Sequence, residues 1–391
     1  MYNRFTKTVC LSFLIVVPVY ATRIKQLSVL QFVKQFPEAT CQQCTHRYPF
    51  NMTPYPVFPQ VDQNFFPSKG YFTDMFILSI ANGTAYRHGS GDVFVNNCFI
   101  KETQIKNMNY FSGPEFDIQD ISNIIKVPGR VAVISHIFPE CYGHWIFDVL
   151  GQLALLEINN VQYDYLCVPY HSKFMKETLD LWGIDHNKII PLTQNLCIQA
   201  DTIIMATSVT QTEVMIGKNA NYNADFLLKH VSQKLLSGVD LKAAESTQQF
   251  SEPSLSKIFI SRKDAIAGRR FVSNEDEIFA LFQPLGFKRY ELTALSLPEQ
   301  IALFHNATTI VSFVGSGSTN IIFCKPGTHY IEIVQKMVDA TFFYVSDIFK
   351  LNYSYINNST IPDLLYGHQH SQEETFPIEK IKNFLSENPE F

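Results

Sequence analysis

Apolar residues along this chain fall into short runs whose spacing predicts strands and helices in alternation. The run "RVAVISH" (130–136) has the continuous apolar character of a buried strand, and the nearly all-apolar segment 140–157 after it predicts a helix. Similar runs predict the strands "YDYLCVPY", "NKIIPLT" and "CIQADTIIMATSV" and the helices "SKFMKETLDLWG" and "ADFLLKHVSQKLLSG". Strands that alternate with helices indicate a parallel sheet covered on both faces.

A second alternating block begins after residue 256. Its predicted strands are "KIFISRK", "FKRYELT", "TTIVSFV" and "HYIEIV". Capping boxes at 273–276 and 296–299 predict the starts of two helices. The loop 315–320 precedes a short helix, "IIFC", and "PIEKIKNFLSENP" predicts a closing helix. This order is that of one nucleotide-binding half of a doubly wound α/β fold.

Local composition predicts where the domains divide. Residues 22–125 are rich in Pro, Phe, Asn and Gly and predict a β-rich entry region, which with the α/β part 126–245 forms an N-terminal domain. The polar stretch 240–256, broken by Pro253, predicts a linker. A C-terminal domain then covers 246–375, and a helix closes the chain over 376–391.

Composition narrows the classes of function. Of the 391 residues, 46% are hydrophobic and 17% charged, so the chain can bury a large core and is not disordered. The net charge of −5 and the pI of about 6.1 come without a basic stripe, so we expect no nucleic-acid partner.

The N-terminal segment 1–21 predicts entry into the secretory pathway. Arg4 and Lys7 precede an apolar run that ends at Ala21, which is typical of a cleaved signal peptide; a short type II signal anchor is the alternative. Either reading leads to the lumen of the endoplasmic reticulum or Golgi, with secretion or membrane anchoring as outcomes. Glycosylation sequons begin at Asn51, Asn82, Asn352, Asn357 and Asn358.

The cysteine count fits an oxidising compartment. Removing Cys10 with a signal peptide leaves seven of the eight cysteines. Cys41, Cys44 and Cys98 are disulfide candidates, whereas the second pair that a zinc site needs is absent. Because seven is odd, at least one thiol should stay free, and Cys324, in a predicted apolar helix, is the expected one.

The glycine loop 315–320 is a candidate phosphate site. Glycines let a ligand approach the backbone, and the amides at the start of a helix attract phosphate. Seventeen residues after Gly315, Glu332 lies near the end of the next predicted strand, where an acidic residue can contact a ribose. The alternative is a plain strand-to-helix turn with a capping Ser or Thr. The candidate loop residues are Gly315, Ser316, Gly317, Ser318, Thr319 and Asn320.

Cations follow the first strand of the C-terminal block. Arg262, Lys263 and Arg269 leave the edge where doubly wound sheets bind ligands, and arginine can neutralise a diphosphate with bidentate geometry. The alternative is a solvated basic loop.

His144 and Asp148 are four residues apart at the start of the apolar helix. On a helix this spacing stacks the two side chains, and a carboxylate that orients an imidazole suits a general base. The alternative is that His144 caps the helix and Asp148 bonds to the backbone.

Together these motifs resemble glycosyltransferase family 61. The landmarks, in the order of the family, are "YGHWIFD" (142–148), "FISRKDAIAGRRFVSNEDEI" (259–278), "LPEQIALFHNATTIVSFVGSGSTNIIF" (297–323) and "PGTHYIEI" (326–333). One departure is Val314, at a position where many members carry a histidine.

The resemblance implies a GT-B architecture, in which two Rossmann-like domains face a cleft, and an inverting transfer of a pentose or N-acetylhexosamine to a hydroxyl of a glycan or glycoprotein. It places Arg262 and Arg269 at the diphosphate of a nucleotide sugar, expected to be UDP-linked, the loop at the phosphates and Glu332 at the ribose. Tyr142, Trp145, His144 and Asp148 then lie on the acceptor side, with no metal ligands and no obligatory cofactor.

Two other functions compete with this one. The departure at Val314 motivates a catalytically inactive lumenal carbohydrate-binding or scaffold protein. A dinucleotide-dependent oxidoreductase is disfavoured, because the third glycine of the dinucleotide fingerprint is missing and the loop comes late in the chain.

Overall fold

The structure is a computed structural model, and it describes residues 22–23, 25–45, 49–51, 69–71, 75–87, 93–96, 98–101, 117–118, 124–211, 222–223, 225–245, 257–265, 271–334, 341–357 and 375–391. The N-terminal segment 1–21, Arg269, Asn358 and residues 246–256 of the expected linker lie outside these ranges. None of the helices within them has the length and apolarity that crossing a bilayer requires.

The N-terminal half is built on a mixed sheet. Its parallel part consists of four strands in the spatial order β13-β12-β11-β14, which is 3-2-1-4 along the chain. Strand β14 also pairs antiparallel with β6 and β7, which joins the entry region to the α/β part. The strands of this half are β1 (Thr22–Arg23), β2 (Lys25–Leu27), β3 (Ala39–Thr45), β4 (Pro49–Asn51), β5 (Lys69–Tyr71), β6 (Met75–Ala81), β7 (Thr84–Arg87), β8 (Val93–Val95), β9 (Cys98–Ile100), β10 (Asp117–Ile118), β11 (Ile124–Val133), β12 (Tyr165–Val168), β13 (Ile189–Pro191), β14 (Cys197–Ala206), β15 (Thr210–Gln211) and β16 (Tyr222–Asn223).

The C-terminal half contains a second sheet, all parallel within the described residues. Its strands are β17 (Lys257–Ile260), β18 (Lys288–Tyr290), β19 (Thr309–Phe313), β20 (His329–Val334) and β21 (Asn352–Asn357). They lie in the order β18-β17-β19-β20-β21, which is 2-1-3-4-5 along the chain. The order reverses between β17 and β19, and ligands of doubly wound sheets bind where the order reverses, beyond the carboxyl ends of the strands.

Helices cover both sheets. They are α1 (Val29–Gln35), α2 (Tyr142–His144), a π-helical turn (Trp145–Val149), α3 (Leu150–Ile158), α4 (Lys173–Trp182), α5 (Asp225–Ser237), α6 (Leu241–Glu245), α7 (Glu275–Phe282), α8 (Leu297–Asn306), α9 (Thr341–Phe349) and α10 (Ile378–Glu387). Single 3₁₀ turns lie at His186–Lys188, Gln283–Leu285 and Leu292–Ala294, and a longer 3₁₀ helix spans Ser316–Phe323.

The largest hydrophobic core is continuous between the two halves. Apolar side chains from α3, α4 and α5 share it with side chains from α8, α9 and the 3₁₀ helix 316–323. A second core lies on the other face of the N-terminal sheet under α1, and a third packs α7 and α10 onto the C-terminal sheet. Each parallel sheet is therefore buried on both faces, which explains the continuous apolar runs of its strands.

The predicted α/β class is confirmed, and so are the strands and helices of both alternating blocks except the short helix "IIFC", which is part of the 3₁₀ helix Ser316–Phe323. The capping box at 296–299 forms: the backbone N–H of Ser296 donates to the Glu299 carboxylate at 2.7 Å. The box at 273–276 was wrong, because α7 starts after Asn274 and the Ser273 hydroxyl faces that of Thr375 at 2.7 Å. The linker was wrong in part, since 241–245 is helical and Ala244 is buried.

Several elements escaped the sequence analysis, among them α1, α6, α9 and β21. Among the cysteines, Cys324 is the buried free thiol that was expected, but Cys44 also carries a free thiol, contrary to its place among the disulfide candidates. Burial raises the pKa of the Cys44 thiol to about 11. Of the sequon asparagines, Asn82 lies in an exposed turn and Asn352 on an exposed position of β21, while Asn51 and Asn357 end strands.

Replacing Trp145 by alanine should strongly destabilise the fold. Trp145 has no exposed surface, and its indole N–H donates to the Thr178 hydroxyl at 2.8 Å. Loss of a buried Trp side chain costs about 3–5 kcal/mol of unfolding free energy. Urea unfolding measures this, with Leu30→Ala as the control, because Leu30 is 72% exposed and its change should stay within about 0.5 kcal/mol. Equal effects of the two substitutions would contradict the placement of Trp145.

Candidate active site

The helix that follows β11 is not a uniform α-helix. Cys141 caps its start, α2 supplies one turn, and the backbone then widens into the π-helical turn Trp145–Val149 before α3 continues. The amide of Leu150 donates to the carbonyl of Trp145, the five-residue spacing of a π turn. Such single turns inside α-helices are frequent at functional sites. Here the turn buries Trp145 while it leaves His144 partly accessible.

His144 and Asp148 form the pair that the sequence predicted. His144 Nδ1 lies 2.9 Å from Asp148 Oδ2, and the side chains keep 16% and 2% of their accessible surface. The alternative of a capping His144 does not hold, because the cap position is Cys141. A carboxylate on Nδ1 orients the imidazole and directs Nε2 away from Asp148, which is the geometry of a general base.

A second histidine, which the sequence analysis did not single out, completes a buried cluster. His136 follows β11, and its Nε2 lies 3.7 Å from Asp148 Oδ2. Its ring stacks on that of His144, with centroids 4.4 Å apart and planes inclined by 22°. Burial lowers the pKa of His136 to about 4, an effect that outweighs the attraction of Asp148 and is reinforced by His144. His136 is therefore neutral at physiological pH.

His136, His144 and Asp148 also bring one nitrogen or oxygen atom each within 4.8 Å of the others, close enough to hold a metal ion. The hydrogen bonding of His136 argues against that use, because its Nδ1 accepts the backbone N–H of Phe138 at 3.1 Å. The single proton of the neutral ring then resides on Nε2, the nitrogen that faces Asp148. A histidine ligand instead keeps its proton on the nitrogen remote from the metal.

The glycine loop takes a different form from the one expected. Instead of a loop that leads into a short helix, the 3₁₀ helix begins at Ser316, directly after Gly315. Ser316 and Gly317 are partly exposed, whereas the side chains of residues 318–320 are buried. The amides at the start of this helix remain the part suited to a phosphate.

Three side chains of the candidate donor-binding loop are buried: those of Ser318, Thr319 and Asn320. Ser318 Oγ lies 2.8 Å from the Ser312 hydroxyl, and Asn320 Nδ2 donates to the Gln300 side chain at 2.9 Å. Thr319 has no exposed surface. All three side chains are buried, so their contact with a donor stays a prediction, and this conformation adds nothing in its favour.

Arg262 and Gly315 meet where the strand order reverses. A Cβ added to Gly315 would lie only 2.1 Å from Nη1 of Arg262, so the guanidinium occupies the space that the missing side chain leaves. The turn that carries Arg262 is fixed by Glu275, a buried residue of α7. Its carboxylate accepts the Ser261 hydroxyl at 2.6 Å and the Arg262 amide at 2.7 Å. Glu275 was missed by the sequence analysis.

The other predicted donor contacts lie elsewhere. Lys263 Nζ donates to both carboxylate oxygens of Asp276 at 2.7 and 2.8 Å, so its charge is already paired. Glu332 has no exposed surface and accepts the hydroxyl of the equally buried Tyr353 at 2.6 Å. A ribose contact of Glu332 stays a prediction, and this placement adds nothing in its favour.

Contacts between the start of the first helix and the 3₁₀ helix join the two halves of the site. The Tyr142 hydroxyl donates to Asn320 Oδ1 at 2.6 Å. A Cβ on Gly143 would lie 3.2 Å from the Thr319 hydroxyl oxygen, so no larger residue fits there without a shift. The His144–Asp148 pair and the Arg262–Gly315 contact thus flank one junction, whereas Trp145 and Glu332 are buried beside it.

Cys141 lies at this junction too. Its Sγ is 3.2 Å from the Ser316 hydroxyl oxygen. Burial raises the pKa of the Cys141 thiol, but His144, the Ser316 hydroxyl and nearby backbone amides outweigh burial, and the net shift is downward. Burial also raises the pKa of Tyr142 far above its usual value, so Tyr142 remains a donor to Asn320.

The fold and the site define an α/β protein with one mixed and one parallel sheet, and with a junction where a histidine–carboxylate pair lies near a guanidinium over a glycine turn. A family model described as Glycosyltransferase 61 matches residues 142–331, the segment that holds both the pair and the turn. The match confirms the resemblance to glycosyltransferase family 61 that the sequence predicted. No curated protein matches the chain.

The stability of the protein should fall in weak acid because His136 is buried in its neutral form. Its pKa is lowered from 6.5 to about 4, so between these values the unfolded chain binds a proton that the folded chain does not. The stabilisation is present above pH 6.5 and is lost as the pH falls towards 4. From pH 7 to pH 5 this group should remove about 2 kcal/mol of unfolding free energy.

Urea unfolding of the wild type and of His136→Phe at both pH values measures this effect. Between pH 7 and pH 5, the unfolding free energy of His136→Phe should fall by about 2 kcal/mol less than that of the wild type. His230→Phe is the control, because His230 also faces a carboxylate, Glu157 at 3.3 Å, away from this cluster. Equal losses in the wild type and in His136→Phe would contradict the buried neutral state.

Proposed function

We propose that the protein is an inverting glycosyltransferase that moves a sugar from a nucleoside diphosphate donor to a hydroxyl of a glycan or glycoprotein. The observation that carries the proposal is the meeting of the Arg262–Gly315 contact and the His144–Asp148 pair at one junction. One side offers positive charge and backbone amides to a leaving diphosphate, and the other offers a base to an attacking hydroxyl. The family match supports this class of reaction.

In the proposed reaction, His144 removes the proton of the acceptor hydroxyl through Nε2, while Asp148 stabilises the imidazolium that forms. The acceptor oxygen forms a bond to the anomeric carbon as the bond from that carbon to the diphosphate oxygen breaks. The bonding electrons leave with the nucleoside diphosphate, whose added charge is met by Arg262 and the amides after Gly315. In-line attack inverts the anomeric configuration.

The proposal also covers the domain arrangement, the donor, the need for a cation and the compartment. We infer a GT-B arrangement of the two sheets, a UDP-linked donor and no obligatory cation, since arginine and a helix start can stabilise the leaving group. The sequons and the N-terminal segment 1–21 favour the secretory lumen. Nothing in the described residues favours the inactive scaffold: Val314, which motivated it, is a buried residue directly after β19.

Arg262→Ala and Gly315→Ala should impair the same step. The first substitution removes the guanidinium, and the second displaces it, because the added methyl group takes the position of Nη1. Each should lower kcat/KM by about 100-fold or more, with little change in thermal unfolding, since the displaced group is the end of a flexible side chain. The double variant should be no worse than Arg262→Ala alone.

Transfer or donor-hydrolysis assays with a panel of nucleotide sugars measure kcat/KM for the wild type, the two single variants and the double variant. The control is Lys263→Ala, which removes a neighbouring cation already paired with Asp276 and should change kcat/KM by less than about fivefold. Additive losses in the double variant would separate Arg262 from the glycine turn and weaken the proposed leaving-group site.

His144→Ala should abolish transfer but keep donor binding. The substitution removes the base, whereas the Arg262–Gly315 contact does not involve this side chain. We expect kcat to fall by about 100- to 10,000-fold. Calorimetric titration with uridine and guanosine diphosphates should give an affinity close to that of the wild type. A near-wild-type rate would eliminate His144 as the base and leave Asp148 as the candidate.

A further inference from the structure

His136 has an unusual environment for a residue that the proposed reaction does not use. It is 8% exposed, and its Nε2 makes no hydrogen bond although the atom is buried. Buried polar atoms without partners are rare and costly, so each one calls for an explanation. His136 Nε2 faces Asp148 Oδ2 at 3.7 Å, the same oxygen that lies against His144.

We propose that His136 is a positioning residue for the base: it fixes the ring of His144 by stacking and shares the Asp148 carboxylate with it. This inference rests on the proposed function, because it assigns His136 a part in that reaction. His136 touches neither substrate in the proposed mechanism and acts through its two neighbours.

The tautomer of His136 is set by the backbone. The amide of Phe138 donates to Nδ1, so the proton of the neutral ring lies on Nε2 and is directed towards Asp148. The carboxylate therefore faces an N–H group on one side and the His144 ring on the other. The lowered pKa of His136 agrees with this state, because a neutral His136 does not compete with His144 for the acceptor proton.

The arrangement has a consequence for the reaction. While His144 is neutral, its Nδ1–H bonds to Asp148, and the Nε2–H of His136 remains just beyond hydrogen-bonding distance. When His144 takes the proton, its positive charge lies against the face of a neutral ring and beside the carboxylate. Both contacts stabilise the imidazolium without the uptake of a second proton.

The charge balance of the cluster involves few groups among the described side chains. Asp148 and His144 face His136, and Cys141 interacts with His144 from the helix start. The Nε2–H dipole of His136 opposes part of the charge of Asp148. Removal of this dipole should make the surroundings of His144 more negative, so that His144 stays protonated to higher pH.

The pH dependence of kcat/KM tests the inference with three variants. His136→Phe keeps a ring for stacking but loses the N–H, and the acid limb should move upward by about half a pH unit, with kcat about tenfold lower and an unchanged KM for the donor. His136→Gln keeps an N–H donor and should leave the acid limb near its wild-type position. His230→Phe, the control on α5, where His230 faces Glu157 near the end of α3, should change neither quantity.

Either of two results would overturn the inference: an acid limb that stays in place in His136→Phe, or one that moves equally in His136→Gln. An unchanged acid limb in His136→Phe would mean that His136 contributes to folding but not to the reaction. Nitrogen NMR of the wild-type imidazoles provides a readout that needs no turnover and should find His136 with its proton on Nε2 at pH 7. A proton on Nδ1 would also overturn the inference, whereas failure of every donor to react would refute the proposed function and not this tautomer.

Discussion

The contact between the start of the helix after β11 and the 3₁₀ helix after β19 is the constraint on which the candidate site depends. The Tyr142–Asn320 hydrogen bond and the close approach of Gly143 to Thr319 hold two backbones, one from each sheet, against each other. Because Asn320 has no exposed surface, breaking this bond would leave a buried amide oxygen unsatisfied, at a cost of about 1–3 kcal/mol. The distance from the base to the glycine turn is thereby fixed.

The parallel strands could be predicted from the sequence because burial on both faces leaves a strong signal. The runs in β12, β17 and β19 and at the end of β11 (131–133) are largely apolar, which is typical of a covered parallel sheet. Short elements were harder. Helix α1 has only seven residues, although Ser28 and Gln31 form a capping box that could have revealed it. Helix α9 is apolar on nearly every side and lacks the periodic pattern that identifies a surface helix.

The site could be predicted as a set of residues but not as a geometry. The contact between His144 and Asp148 was predicted from their spacing, because residues four apart meet on one face of a helix. The π-helical turn between them preserves this contact. The direction of Glu332 could not be read, because a strand covered on both faces gives no alternation to separate a ligand-facing carboxylate from a buried one. His136 lies one segment away in the chain, and only the packed structure shows that its ring stacks on His144.

The "GSGSTN" segment (315–320) therefore has two parts: one that a ligand could reach, as expected of a phosphate loop, and one whose side chains are buried in the protein. Ser316 and Gly317 are partly exposed and lie where a ligand could approach, whereas the side chains of Ser318 and Asn320 hold the 3₁₀ helix to its neighbours. A site whose two sides are tied by buried hydrogen bonds has little freedom to assemble on closure. The stabilisation of a leaving diphosphate would then come from groups already in place, and any exclusion of water would fall to the segments around the junction rather than to movement at the junction itself.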